Sequence, residues 1–164
     1  YSGGKCLRGP QASGLVLGRE NLLKAAFLNG CPHGAIGRPM KVGKEEIMGL
    51  LAAVEQWVER DHQAEWEAWE KRLSIISNSL TEFDSVKISI IQPGRSNVAP
   101  CLSVSWDPTI LGVDGSVLRE KLEMGEPRIE MSVGDSQFSV NPYMMEHGED
   151  EQVALRLKQI FSES

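Results

Sequence analysis

The sequence predicts a fold between the α/β and α+β classes: a glycine-rich N-terminal part, one long helix, and a small α+β domain with an antiparallel sheet. Between residues 43 and 80, apolar residues recur every three or four positions, which is the period of a helix. After Leu80 the period becomes two, as in strands with one buried face. Helical periods return near residues 115–124 and 149–162, so helices are expected on one face of the sheet. We therefore divide the chain into residues 1–42, 43–80 and 81–164.

The N-terminal part is predicted to contain a strand, a helix and a loop. Residues 13–18 form a short apolar run bounded by glycine, which is typical of a buried strand. Residues 30–43 contain four glycines and two prolines, which indicates a loop. Between them, residues 19–29 read as a short helix whose apolar face would comprise Leu22, Leu23, Ala26 and Phe27.

Regular periodicity continues through the rest of the chain. No proline interrupts residues 43–80, so we expect one continuous helix that bridges two lobes. Alternating apolar and polar residues then predict four strands, at residues 86–90, 102–106, 129–133 and 138–140.

The composition is that of an ordinary globular protein. The chain has 164 residues, of which 41% are hydrophobic and 24% charged, which excludes a disordered chain, a collagen and a disulfide scaffold. No apolar run approaches the roughly 18 residues of a membrane span, and no secretory signal is visible. Three cysteines favour a reducing compartment, so we expect a cytoplasmic protein. Because the first residue is Tyr1, we expect a processed chain or a piece of a longer one.

Positive charge is concentrated at the N-terminal end. Residues 1–44 carry seven Lys or Arg and one acid, a net charge of +6, so the remainder carries −12 of the total of −6. Because glycine exposes backbone N–H groups, a basic, glycine-rich stretch suits small anions such as phosphate or carboxylate. A solvated surface is the simpler alternative. The acidic chain, without aromatic residues among the basic ones, argues against a nucleic-acid track.

Lys5 is the first residue that could carry chemistry. It follows Ser2, Gly3 and Gly4, but Cys6 follows it where a phosphate-binding loop needs Ser or Thr. A Schiff-base lysine is the second possibility. Such a lysine needs a lowered pKa, which apolar burial or a neighbouring cation supplies, and Arg8 is close in sequence. An ordinary surface lysine is the third.

Three further residues are weaker candidates. Cys31 and His33 could bind a metal, but no second pair stands at ligand spacing, so we expect no metal site. Arg128 precedes a predicted strand, where it could bind a carboxylate or simply face solvent.

The N-terminal sequence resembles the cofactor-lysine region of the bacterial selenocysteine synthase family, within the fold-type-I enzymes that depend on pyridoxal phosphate. The matching motifs are Gly4-Lys5, then Gly9-Pro10-Gln11, then the segment that ends at Gly18. The run Gly37-Arg38-Pro39-Met40-Lys41-Val42-Gly43-Lys44 resembles the branch that includes D-glucosaminate-6-phosphate ammonia-lyase.

This resemblance implies a role for several residues. Lys5 would hold pyridoxal 5'-phosphate as a Schiff base and act as acid and base, and Ser2 and Gly4 would help to form the cofactor site. The substrate or its anionic groups would be bound by Arg8, Gln11, His33, Arg38, Lys41 and Arg128. Ala35 stands where the selenocysteine synthase loop has a second arginine, which disfavours selenium-donor chemistry.

The resemblance also implies the architecture: the end of a large cofactor domain, a linking helix and a small C-terminal domain. The acid that pairs with the pyridine nitrogen precedes the lysine in this superfamily, so the chain corresponds to the C-terminal part of an enzyme. We expect a lyase or transferase that removes an α-proton and eliminates a β-group from a small anionic amino substrate, in a homo-oligomer. The alternatives are a seryl-tRNA selenium transferase and a non-catalytic assembly module.

Overall fold

The computed structural model describes residues 1–94 and 98–163. Contacts divide the chain into an N-terminal unit, Tyr1–Asp61, and a C-terminal unit that begins at His62. The described residues contain six α-helices and a three-stranded antiparallel sheet, so the predicted α+β character is confirmed.

The N-terminal unit contains two helices, α1 (Glu20–Asn29) and α2 (Lys44–Glu59). The loop predicted between them is confirmed. The strand predicted over residues 13–18 is not formed: only Gly14 makes a bridge, with Ser2. Val16 and Leu17 are 71% and 67% exposed, since no further strand or helix of this unit covers them.

The helix predicted over residues 19–29 is present as α1, but the predicted apolar face of this helix is not buried. None of its residues is buried, and Leu22 and Phe27 are 52% and 63% exposed. The salt bridge between Glu20 and Lys24 spans one turn on the surface, where such pairs contribute little. The apolar face of α1 is therefore largely uncovered in its unit, although the His33 ring packs against Phe27.

The helix predicted over residues 43–80 is interrupted. Helix α2 ends at Glu59, Arg60 is extended with ψ of 136°, and α3 spans His62–Leu80. The apolar period continues across this break, which is why periodicity alone indicated one helix. Asp61 stands directly before α3, and aspartate is a residue type that favours a helix start.

The sheet of the C-terminal unit has the order β1 (Lys87–Ile91), β2 (Cys101–Ser105) and β3 (Gln137–Val140). Both pairings are antiparallel, with Ile88 opposite Val104 and Val104 opposite Phe138. These alternate residues face the helices, so three of the four predicted strands are confirmed.

The strand predicted over residues 129–133 is wrong as a member of the sheet. Only Val133 forms a bridge, with Phe138. The backbone is used differently, because Ile129 donates to the Leu122 carbonyl at 3.0 Å and Arg119 donates to the Val133 carbonyl. The alternation of apolar and polar residues in this segment therefore indicates that one face is buried. It does not indicate that the segment pairs with a neighbouring strand.

Helices α5 (Gly115–Glu123) and α6 (Glu149–Ser162) confirm the two helices predicted in this unit. A short helix α4 (Pro108–Leu111) precedes them, and a 3-10 turn (Pro142–Met144) precedes α6. Asp107 and Asp114 cap α4 and α5 by accepting hydrogen bonds from backbone N–H groups. The hydroxyl of Ser116 and the N–H of Val117 hold the pKa of the Asp114 carboxyl below its ordinary value.

The core of this unit lies between the sheet and helices α3, α5 and α6. At its centre the Trp106 ring packs 5.6 Å from Phe161 and 5.9 Å from Phe138, and its indole N–H donates to the Val113 carbonyl at 2.6 Å. Fully buried aliphatic side chains from every layer complete the core, including Leu73, Ile76, Leu80, Leu102, Leu118, Leu122, Leu157 and Ile160.

Candidate functional site

The lysine loop, residues 1–14, is tied closed by its backbone. Gly3 donates to the Ser13 carbonyl at 2.9 Å, and Gly9 donates to the Gly3 carbonyl at 2.8 Å. Lys5 lies in the turn between these ties and is exposed. Its amine has no hydrogen-bond or ion-pair partner among the described residues. The loop therefore presents a free primary amine on a short closed turn.

Close backbone approaches explain why this loop needs glycine. A Cβ added at Gly4 would lie 2.7 Å from the Gln11 Cα, and one added at Gly3 would collide with the Ser13 hydroxyl. Arg8 has a φ of 60°, the left-handed conformation that non-glycine residues rarely adopt, and donates its N–H to the Lys5 carbonyl. Ser2 bridges Gly14. The loop thus brings together Ser2, Gly4, Lys5, Arg8 and Gln11.

Helix α2 supports the lysine loop through small residues. A Cβ on Gly49 would lie 2.6 Å from the Pro10 Cγ, and a Cβ on Gly9 would lie 3.2 Å from the Ala53 Cβ. Leu50 and Ala53 are the buried residues of this helix. Gly49 and Ala53 were not predicted as site residues from the sequence, although two small residues four positions apart on an apolar stripe indicate a close approach.

The anion loop, residues 30–42, holds three of the predicted anion-binding residues: His33, Arg38 and Lys41. Gly37 donates to the Asn29 carbonyl at 2.8 Å, and a parallel bridge joins it to Gly30, which closes the loop. A side chain at Gly37 would collide with that carbonyl. Glycine is therefore required where the two ends of the loop meet.

Two side chains of the anion loop have defined surroundings. Arg38 donates from Nη1 to the Cys31 Sγ at 2.9 Å. The His33 ring packs edge-on against Phe27 at 5.0 Å, and its Nε2 is shielded from solvent without a hydrogen-bond partner. A shielded polar atom of this kind is uncommon in folded proteins and marks a position where a ligand can supply the partner.

A cavity of about 440 Å³ lies in the C-terminal unit, and one of about 720 Å³ lies in the N-terminal unit. The larger cavity extends from the anion loop to α2, and its polar lining residues include Ser13, Cys31, Lys41 and Glu46. Its other walls are apolar, including Leu15, Val42, Ile47, Leu50, Leu51 and Val54.

Arg128 lies in the C-terminal unit and is one of the residues that line the smaller cavity. Its guanidinium is exposed and paired with the Glu130 carboxylate. This surface ion pair uses the Nη2 group of Arg128 and partly compensates the charge that would attract a substrate carboxylate. The role of Arg128 as a carboxylate ligand stays a prediction.

Neither a metal cluster nor a membrane-spanning helix is present within residues 1–94 and 98–163. No three His, Cys, Asp or Glu side chains converge there as metal ligands. None of the helices in the same residues combines the length and apolarity of a membrane crossing.

Comparisons with known proteins relate the chain to enzymes. No family model matches it. The chain is 27% identical to a 5'-C-glycyluridine monooxygenase-decarboxylase from a Streptomyces species, over 98% of this chain and 40% of the relative. It is 26% identical to a D-glucosaminate-6-phosphate ammonia lyase from Salmonella typhimurium, over 98% of this chain and 42% of the relative.

A solved structure of D-glucosaminate-6-phosphate ammonia-lyase agrees with these matches. It superposes with a TM-score of 0.59 and 25% identity, over 99% of this chain and 43% of that one. Neither curated relative is named as a selenium transferase, so that part of the predicted resemblance stays a prediction. Almost the whole chain is therefore similar to about two fifths of an ammonia-lyase-like enzyme.

Proposed function

We propose that this chain is the lysine-bearing part of a lyase that depends on pyridoxal phosphate and acts on an anionic amino compound. The observation that carries the proposal is the closed, glycine-dependent loop that presents the free amine of Lys5. Similarity to an ammonia lyase over nearly the whole chain supports the reaction class.

The residues of the lysine loop fit such a cofactor. Lys5 offers an unpaired Nζ for covalent attachment, and the absence of a Cβ at Gly4 leaves the turn compact against Gln11. Once bound there, the cofactor would withdraw electrons from the carbon next to the substrate amine. When Nζ of Lys5 is released, it can accept the proton from that carbon, which is general-base chemistry suited to lysine.

The charge of the N-terminal region supports an anionic substrate. Residues 1–44 carry a net charge of +6, which raises the local concentration of anions. Arg38 and Lys41 lie on the anion loop, and Arg38 has no carboxylate partner among the described residues. Because the related lyase is named for a sugar acid that carries an amino group and a phosphate, we propose an amino-sugar phosphate acid as the substrate class.

The proposed activity belongs to a longer enzyme. The chain spans about 40% of the curated relatives it matches. The apolar side chains of Val16, Leu17 and Phe27 are exposed, and proteins commonly cover such residues where they lie close together. We propose that the remainder of the enzyme packs there. A homo-oligomer also stays a prediction, which sedimentation equilibrium of the complete enzyme would test.

Borohydride trapping tests the proposal directly. The protein is mixed with pyridoxal phosphate and reduced, and modified lysines are mapped by mass spectrometry. Lys24, Lys41 and Lys44 are exposed lysines of the same unit and serve as internal controls. We expect preferential labelling of Lys5 and its loss in Lys5→Arg, which keeps the charge. Equal labelling of all four lysines would contradict the proposed role of Lys5.

A further inference from the structure

We propose that Cys31 is a positioning residue for Arg38: its thiol orients the guanidinium and leaves the other donors available to an anion. This inference rests on the proposed function, in which Arg38 binds an anionic group of the substrate. It assigns to Cys31 a role distinct from the metal-ligand role considered from the sequence.

The contact is specific and leaves most of the guanidinium unused. Arg38 Nη1 lies 2.9 Å from the Cys31 Sγ, so one N–H donates to sulfur. An arginine side chain has five N–H donors, and within the described residues Arg38 makes no other hydrogen bond or ion pair through its side chain. Four donors of Arg38 therefore remain for a ligand.

The identity of the acceptor matters as much as the contact. A thiol is a weak, uncharged acceptor, so it can fix a direction without neutralising the guanidinium. Arg128 illustrates the opposite case, because the Glu130 carboxylate pairs with its charge. Of Arg38 and Arg128, only Arg38, which is held by sulfur, keeps its charge uncompensated by a carboxylate among the described residues.

The backbone holds both partners of the contact in place. Residues 31 and 38 flank the bridge between Gly30 and Gly37, and Arg38 donates its N–H to the Ala35 carbonyl at 3.0 Å. The distance between the two Cα positions is therefore set by the loop closure and not by the side chains. Residues 30–44 contain no acid, so no carboxylate of the loop competes with the thiol.

Isothermal titration calorimetry, in which inorganic phosphate is added to the whole chain, tests the role of Cys31. We expect Arg38→Gln to weaken binding about tenfold, which is the effect of losing one charge-assisted contact. Cys31→Ala should weaken it about fivefold because the guanidinium loses its orientation. Cys31→Ser should restore most of the affinity, since a hydroxyl also accepts from Nη1.

The outcomes separate the two proposals. If Arg38→Gln weakens phosphate binding no more than the control Arg19→Gln does, the proposed anion site fails and this inference fails with it. If Arg38→Gln weakens binding but Cys31→Ala binds as tightly as wild type, or more tightly, only the role of Cys31 is overturned. Cys101→Ala provides the same chemical change in the other unit, and circular dichroism melts exclude unfolding as the cause of a loss.

Discussion

Replacing Gly4 with alanine should open the lysine loop, and the size of the effect follows from one distance. The new Cβ would lie 2.7 Å from the Gln11 Cα, whereas carbon atoms that are not bonded to each other approach to about 3.5 Å. Because Cα is a backbone atom, no rotamer change relieves the overlap. The two sides of the loop must separate, which strains the hydrogen bonds that Gly3 makes with Ser13 and Gly9.

Overpacking of this kind costs about 2 kcal/mol, which corresponds to a roughly thirtyfold increase in the population of the open loop. Amide hydrogen exchange of Gly3 and Gly9 should therefore accelerate about thirtyfold, because exchange follows local opening. Lys5 should also lose its preferential labelling by pyridoxal phosphate.

Gly34→Ala is the matched control, since a Cβ there meets no atom within 4 Å. If Gly4→Ala exchanges no faster than Gly34→Ala, the close approach to Gln11 does not restrain the loop. Lys5 would then not be held on a rigid turn.

Three further predictions concern the C-terminal unit. Trp106→Phe leaves the buried Val113 carbonyl without its donor and should lower the free energy of unfolding by about 2 kcal/mol in urea titrations; an unchanged midpoint would refute the importance of that bond. Gly115→Ala places a Cβ against the Gly134 carbonyl and should shift the urea midpoint far more than Gly34→Ala, which the same titration measures. Because the pKa of Asp114 is lower in the folded state, its contribution to stability is complete above the unfolded value near 3.8 and is lost as the pH falls through the folded value. Asp114→Asn should flatten that part of a stability–pH profile, and an unchanged slope below pH 4 would contradict the assignment.

The parts of the fold that were predictable from the sequence are those whose pattern reports local geometry. Helices α5 and α6 and the three strands were predictable because each has one face in a core built by the same unit. The segment 129–133 alternates in the same way, yet its backbone bonds to α5, because alternation specifies which face is buried and not which groups pair.

The N-terminal unit was harder to predict for a different reason. An apolar run or an amphipathic period indicates burial only if packing partners exist, and Val16, Leu17 and most of the apolar face of α1 stay exposed in their unit. The break between α2 and α3 was not predicted, because the apolar period continues unchanged across Arg60, whose backbone is extended.

The site was partly predictable. The glycine and proline content predicted the loop at residues 30–43, whereas the role of Lys5 came from a resemblance and stays a prediction. The contact between Cys31 and Arg38 depends on how residues 30 and 37 meet, which no spacing rule specifies.

The small residues of α2 have a consequence for how Lys5 can evolve or be engineered. Gly49 and Ala53 lie more than 40 positions beyond the lysine in the chain, yet the lysine loop rests on them. A larger residue at Gly49 would push against Pro10 and displace the turn that carries the amine, without altering any residue of the loop itself. A mutational scan should therefore find that substitutions at this helix position are tolerated as poorly as substitutions at a site residue. The cause would be the close packing of α2 against the lysine loop, and not a role in chemistry.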